Sequence, residues 1–179
     1  MDLKGSKTEQ NLWAAFAGES QARNKYSFFA SQADKEGFKQ IAAIFLETAD
    51  NEKEHAKRLF KFLMGGAVPA TAENLLASAE GENEEHTSMY PEFEKVAREE
   101  GFNEIADIFK EIAEVEEEHE KRFRKLLENV KNNTVFKKDK PVKWRCRNCG
   151  YVHEGTEAPE ECPACAHPQS YYEVMAENY

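Results

Sequence analysis

An all-α four-helix bundle followed by a small four-cysteine metal domain is the architecture this sequence predicts. Three observations predict it: a gapless internal repeat at an offset of 64 positions, a Glu-x-x-His motif in the apolar seam of each repeat, and two Cys-x-x-Cys pairs confined to the last quarter of the chain.

The repeat comes first because it organises the rest. Gly37 to Leu63, GFKQIAAIFLETADNEKEHAKRLFKFL, returns as GFNEIADIFKEIAEVEEEHEKRFRKLL from Gly101 to Leu127. Self-similarity of this length marks a duplicated supersecondary unit. Each unit reads as a helical hairpin that turns at Gly37 or Gly101, the residue type that accepts the left-handed conformation closing a helix. Two hairpins predict four helices, over 7–35, 38–64, 72–99 and 102–130. Between the hairpins, Gly65-Gly66-Ala67-Val68-Pro69-Ala70 predicts a loop. Parallel repeats require a crossover there, with Thr71 as the expected cap of the third helix. Pro91 falls inside that helix and is expected to kink it, because proline removes a backbone donor. Residues 131–143 are basic and lack helical periodicity, which predicts a solvated linker. The expected division is therefore a bundle over 1–135 and a linker with its cysteine domain over 136–179.

Composition excludes some functions. Charged residues make up 32% of the chain and the formal net charge is −10. Such a surface repels nucleic acid and anionic membranes, so neither is an expected partner. The opening Met1-Asp2-Leu3-Lys4-Gly5-Ser6 lacks the basic head and apolar core of a secretory signal, and no apolar run approaches a membrane span. A cytoplasmic location is expected. In a reducing compartment, paired cysteines read as a metal site rather than as disulfides.

The second predicted helix carries a seam of Phe38, Ile41, Phe45, Thr48, Glu52, His55, Leu59 and Phe62; the fourth repeats it as Phe102, Ile105, Phe109, Ile112, Glu116, His119, Phe123 and Leu126. Steps of three and four make a buried stripe, and in each stripe a Glu and a His interrupt it. An isolated buried carboxylate costs several kcal/mol, so it must be protonated, paired or bound to a cation. Glu19 on the first helix and Glu82 on the third sit on comparable faces. One Glu from each of two helices and Glu-x-x-His from each of the other two is the donor set of ferritin-like di-metal bundles. Here the set is Glu19, Glu82, Glu52 with His55, and Glu116 with His119, and mixed oxygen and nitrogen ligation suits iron or manganese. A lone Glu-x-x-His in a Glu-rich chain means little; two in register across a repeat reverse that reading. Most other glutamates, such as Glu54, Glu114 and Glu118, read as solvated.

The symmetry breaks at Glu85. Moving Glu82 back by 63 positions reaches Glu19, whereas moving Glu85 back equally reaches Ala22. Glu85 is either a surface glutamate or a further oxygen ligand on one metal. The adjacent His86 is expected to pack or to support the site rather than to ligate.

Cys146, Cys149, Cys162 and Cys165 form two knuckles, with Gly150 leaving room for backbone amides to turn toward sulfur. A zinc ribbon and a one-iron redox site share these ligands. Zinc carries no electrons, so attachment to a redox-capable bundle favours iron, with zinc substitution open. Trp144, Tyr151, Tyr171 and Tyr172 are expected to form the small core, with His153 and His167 on the surface or behind the ligands.

Together these residues resemble the rubrerythrin family over nearly the whole chain. The resemblance rests on Glu19, Glu52-x-x-His55, the run Glu82 to Pro91 (ENEEHTSMYP), Glu116-x-x-His119, WRCRNCGY from Trp144, and Cys162-Pro163-Ala164-Cys165. It implies a ferritin-like bundle with a C-terminal rubredoxin-like domain, two irons in the bundle and one among the cysteines. It implies that Glu19, Glu52, Glu82, Glu85, Glu116 and His119 bind the oxidised pair, that His55 replaces Glu85 on one iron upon reduction, and that the Tyr26 and Tyr90 hydroxyls stand close behind. The implied activity is NADH-linked reduction of hydrogen peroxide to water in oxidative-stress defence. Electrons would be relayed by the four-cysteine iron from an NAD(P)H-dependent reductase or a rubredoxin. Ferritin-like iron oxidation and storage is the alternative, disfavoured by the cysteine module; a structural zinc-ribbon interaction protein is a third reading. Unless the linker folds back, helix length places each four-cysteine site far from its own bundle ligands, which predicts a head-to-tail homodimer with electron transfer between chains.

Overall fold

The computed structural model describes residues 2–178. Helix α1 spans Lys7–Lys35, α2 Lys39–Leu63, α3 Thr71–Glu84, α4 Tyr90–Glu99 and α5 Asn103–Lys131; a five-residue π-helical turn, Glu85–Met89, joins α3 to α4. Strands β1 (Lys137–Cys146), β2 (Val152–Glu157) and β3 (Tyr172–Val174) follow, with a short 3₁₀ turn at Gln169–Tyr171. The chain divides into two compact units, Met1–Pro69 and Ala70–Tyr179. In the first, α1 packs along α2; in the second, α3, the π turn and α4 pack along α5. The ferritin-like helical class and its small sheet domain are thus as the sequence predicts.

Both hairpins turn in the same way. Gly37 and Gly101 each have φ of +87°. The amides of Gly37 and Phe38 bond to Asp34 and Ala33 carbonyls at 3.1 and 2.9 Å, and those of Gly101 and Phe102 to Arg98 and Ala97 at 3.1 and 2.8 Å. These bonds satisfy carbonyls that a helix end leaves open. What is buried inside the hairpins is mainly alanine: Ala30, Ala33, Ala42, Ala49 and Ala56 in the first, Ala79, Ala97 and Ala106 in the second. Small side chains let paired helices approach closely. The larger seam residues Phe38, Ile41, Phe62, Phe102, Ile105 and Leu126 remain exposed. The seam is therefore not the buried stripe its periodicity suggests within either hairpin; it lies on the open side of the alanine packing.

Three local expectations are corrected. Thr71 begins α3 rather than capping it; Ala70 is the cap residue, and its amide donates to Glu73 Oε2 at 3.0 Å. Pro91 lies in an unbroken helical run, 71–99, and the departure from α geometry beside it is the five-residue π turn ending at Met89, which the proline alone did not predict. The basic stretch is not all linker, since β1 begins at Lys137. Lysine-rich extended chain pairs there with β2, and the pairing skips from Lys137 to Val142 around the donorless Pro141.

The π turn has a sequence cause. Gly18 and Glu19 align with Gly81 and Glu82 at an offset of 63, whereas Tyr26, Phe29 and Ala33 align with Tyr90, Phe93 and Ala97 at 64. One extra residue therefore lies between Glu82 and Tyr90, where the chain widens by one residue per turn. The equivalent stretch of α1 is unbroken α-helix. Beyond the insertion the packing repeats: Tyr26, Phe29 and Phe45 form an aromatic cluster, as do Tyr90, Phe93 and Phe109.

The sheet order is β2-β1-β3, antiparallel throughout. Its core is Trp144, Cys146, Ala158, Cys162 and Tyr172, with Phe136, Val142 and Cys165 against it. Tyr151 and Tyr171 are 37% and 41% exposed, so only two of the four expected aromatics are core. Both knuckles fold alike. Gly150 N donates to Cys146 O at 2.9 Å and Ala166 N to Cys162 O at 2.8 Å, with φ of +82° and +54° at Gly150 and Ala166.

Candidate metal centres

Each hairpin gathers one trio of donors. On α1 and α2, His55 Nδ1 lies 2.8 Å from Glu52 Oε2 and 3.9 Å from Glu19 Oε1. On α5 and α3, His119 Nδ1 lies 2.5 Å from Glu116 Oε2 and 3.9 Å from Glu82 Oε1. The i,i+3 spacing puts Glu and His on one helix face, and the neighbouring helix adds the third donor. Within each trio the ligating atoms lie within 4.8 Å of one another. Burial, then the charge of Glu116, raises the Glu82 pKa above the ordinary carboxylate value. Carboxylates crowded in this way call for a proton or a cation, and two carboxylates with one imidazole match a hard-to-borderline metal such as iron.

Glu85 stands on the π turn, outside the trio, yet its charge acts on both Glu82 and Tyr90. Burial raises the Tyr90 pKa, and Glu85, Glu116 and Glu82 add to it, so the phenol stays protonated beside the carboxylates. Tyr26 holds the matching place in the first hairpin, 6.2 Å ring to ring from Phe45 against 6.1 Å for Tyr90 and Phe109. Glu54, Glu114 and Glu118 are solvated, as expected.

His86 lies outside both donor trios. Its Nε2 lies 2.6 Å from Glu120 Oε2, and Glu120 also accepts from Asn83 Nδ2 at 3.1 Å and Arg124 Nε at 2.6 Å. Those three hydrogen bonds, His86 first, hold the Glu120 carboxyl down to about 2. Glu120 is the buried charged side chain among the described residues. Sequence reasoning missed it; the one available signal was that its repeat mate is Ala56, a carboxylate standing where the other hairpin has a core alanine.

The four cysteines converge at the other centre. Cys146 Sγ and Cys165 Sγ are 3.8 Å apart, Cys149 Sγ and Cys162 Sγ 3.6 Å, and all four lie within 4.8 Å of one another. A tetrahedron of ~2.3 Å metal–sulfur bonds has edges of about 3.8 Å, so the cluster has the size of a filled site. Burial opposes the Cys165 thiolate, yet the His167 amide and the Asn148 side chain bring this thiol down to about 6. A backbone hydrogen bond from Tyr151 favours the Cys149 thiolate, but Cys165, burial and Cys162 push that thiol up to about 12. Four adjacent sulfurs ionise together only around a cation. The buried Tyr172 hydroxyl faces the Cys162 sulfur, and the hydrogen bond it can donate there favours the Cys162 thiolate, the form that binds a metal. His167 sits behind the ligands, Nδ1 3.0 Å from the Cys165 carbonyl.

Helices bearing duplicated carboxylate–imidazole trios, with a four-thiolate sheet domain on the same chain, define a ferritin-like di-iron protein with a rubredoxin-like iron site. Comparison with known proteins agrees. A sequence model described as Rubrerythrin matches residues 10–127, and one described as the rubredoxin-like domain of rubrerythrin matches 144–173. Rubrerythrin of Nitratidesulfovibrio vulgaris strain Hildenborough is 58% identical, covering 99% of this chain and 98% of that protein. Rubrerythrin of Porphyromonas gingivalis strain W83 is 56% identical over 99% and 94%. Among solved structures, nigerythrin in its mixed-valence state is 31% identical over 97% of this chain and 91% of that one, with a TM-score of 0.36. The chain belongs to the rubrerythrin family, generally di-iron oxidative-stress proteins with peroxidase activity. The donor groups fit the family's iron sites. Among the described residues no helix is long and apolar enough to cross a membrane.

Proposed function

We propose that this protein reduces hydrogen peroxide to water at two irons held by Glu19, Glu52, His55, Glu82, Glu85, Glu116 and His119. The electrons are relayed by a third iron on Cys146, Cys149, Cys162 and Cys165. The observation that carries this reading is the presence, on one chain, of two carboxylate–imidazole trios and a four-thiolate cluster of metal-site size. Bound in reduced form, the iron pair supplies two electrons for O–O cleavage, and the thiolate-held iron a one-electron relay.

The chain's own residues do the rest. The trios fix ligand geometry through i,i+3 pairs on rigid helices. Tyr90, kept protonated by burial and by three carboxylates, donates a hydrogen bond toward anionic oxygen, and Tyr26 does so from the repeat position. Glu85 would hold one iron in its ferric form, since carboxylate suits the harder ion, and His55 would hold it in the ferrous form, which accepts imidazole. His55 is the most exposed imidazole of the two trios, its side chain 62% accessible against 37% for His119, which leaves it room to move.

The physiological reductant is an NAD(P)H-dependent reductase or a free rubredoxin, and the setting is the cytoplasm. The start of β1 at Lys137 supports a boundary near 135, with the bundle over 1–135 and the iron domain over 136–179. From His119, α5 runs to Lys131, about 18 Å of helix before the cysteine domain begins. That length favours a head-to-tail homodimer in which each four-cysteine iron serves the partner's bundle. The deciding experiment is anaerobic: chemically reduced, iron-loaded protein is mixed with one equivalent of peroxide. Loss of the peroxide with reoxidation of the iron is expected; persistence of peroxide beside fully loaded, reduced protein refutes the reading.

A further inference from the structure

We propose that Glu120 is a positioning residue for Glu85: through His86 it clamps the π turn that carries this carboxylate to the metal centre. The inference rests on the peroxidase reading only for the meaning of Glu85, not for the clamp itself.

A π turn is poorer in hydrogen-bond geometry than the α-helix around it and persists where its surroundings hold it. Here the surroundings are specific. The insertion between Glu82 and Tyr90 puts His86 on the turn one residue after Glu85. His86 reaches across to Glu120 on α5 at 2.6 Å, with 16% and 12% of the two side chains exposed. Asn83, one residue after the ligand Glu82, donates to the same Glu120 oxygen at 3.1 Å. Arg124 occupies the other oxygen at 2.6 Å. Thr87 closes the turn locally, donating to Asn83 O at 2.6 Å. One carboxylate is thus tied to residues on both sides of Glu85.

The first hairpin is the internal control. At the positions of Glu120, Arg124 and Asn83 it has Ala56, Phe60 and Ser20, and neither Ala22 nor Arg23 supplies a histidine for His86. Ala56 is buried and Phe60 packs on Phe16 with ring centroids 5.5 Å apart. That half has no insertion, no π turn and no counterpart of Glu85. One half of the chain thus has both the polar clamp and the inserted carboxylate, and the other half has neither. A buried carboxylate in an otherwise alanine-lined hairpin is costly unless its geometry is used. The use consistent with these contacts is to hold the backbone of the turn while the Glu85 side chain alone changes position, so that ligand exchange proceeds without unwinding α3.

The test compares wild type with Glu120→Ala, Glu120→Gln and the double variant E120A/R124F, which copies the Ala56 and Phe60 pair and so preserves a packing that already folds in this chain. Each protein is loaded with iron, and three quantities are read: iron content, amide hydrogen exchange over residues 85–90, and the near-ultraviolet and visible absorption of the oxidised iron pair. In both E120A backgrounds exchange over 85–90 should rise roughly tenfold or more, with iron retained and the absorption altered. Glu120→Gln, which still accepts from His86, should restore most of the protection. Unchanged exchange, or faster exchange with unaltered absorption, would overturn the proposal. Absence of peroxide reduction by wild type would instead refute the functional reading while leaving the exchange result to judge the clamp.

Discussion

His119 Nδ1 lies 3.9 Å from Glu82 Oε1, which joins α5 to a carboxylate on α3 that burial and Glu116 push toward its neutral form. His55 keeps the same 3.9 Å from Glu19 in the other hairpin. This duplicated contact spans neighbouring helices in both halves, and the expected effects of perturbing the metal centres start from it.

Protein loaded in its own host should carry about three irons per chain and be red from thiolate-to-iron charge transfer. Metal analysis with a visible spectrum checks this. Stoichiometric zinc among the cysteines would remove the relay role of that domain. Stripping the metals should unfold the sheet domain, whose core holds two of the ligands, Cys146 and Cys162, while helical circular dichroism largely persists.

Cys165→Ser should abolish NADH-driven turnover, because electrons no longer reach the bundle. A single round of peroxide reduction should survive once the protein has been reduced chemically. Stopped-flow mixing separates the two, and loss of the single round would place the chemistry at the wrong centre.

Glu85→Ala should retain two irons in the bundle, because both trios remain complete without it. Its peroxide turnover should fall roughly ten- to a hundredfold, in the range seen when residues supporting a metal are removed. Wild-type kcat with full iron would return Glu85 to the role of a surface residue.

Glu120 should make the stability of metal-free protein depend on acid. Its folded pKa, about 2, lies below the ordinary 4.5, so its contribution is complete above pH 4.5 and is lost as pH falls toward 2. At neutral pH, Glu120→Ala should cost about 2–3 kcal/mol, the scale of stranding buried donors. Urea midpoints of wild type and variant should converge between pH 4.5 and 2; a constant gap across that range would show that Glu120 does not titrate as its hydrogen bonds require.

Mixing two inactive variants, His119→Ala and Cys165→Ser, tests transfer between chains. A heterodimer keeps one intact bundle site and one intact four-cysteine site on different chains. Recovered NADH-driven activity is expected, and an inactive, confirmed heterodimer would confine transfer to a single chain.

Much of the protein was legible in its sequence because the relevant signals are local. Spacing of i,i+3 puts Glu52 with His55 and Glu116 with His119 on one helix face in any α-helix. Likewise, Gly37 and Gly101 close helices because only glycine takes that φ freely, and Cys-x-x-Cys is a knuckle by its own geometry. Tertiary structure decided what depends on neighbours distant in sequence. Periodicity marks a seam but not which side of it is buried, and here alanines fill the helix contacts while Phe38 and Phe102 stay exposed. Part of a lysine-rich stretch becomes strand β1 because β2 supplies partners for its backbone. The change of repeat offset between Glu82 and Tyr90 was written in the sequence, but an inserted residue can be absorbed as a loop, a kink or a π turn. Here the π turn is the outcome, and the contact that accompanies it, His86 with the Glu120 carboxylate on another helix, joins residues 34 positions apart, which no local pattern reveals.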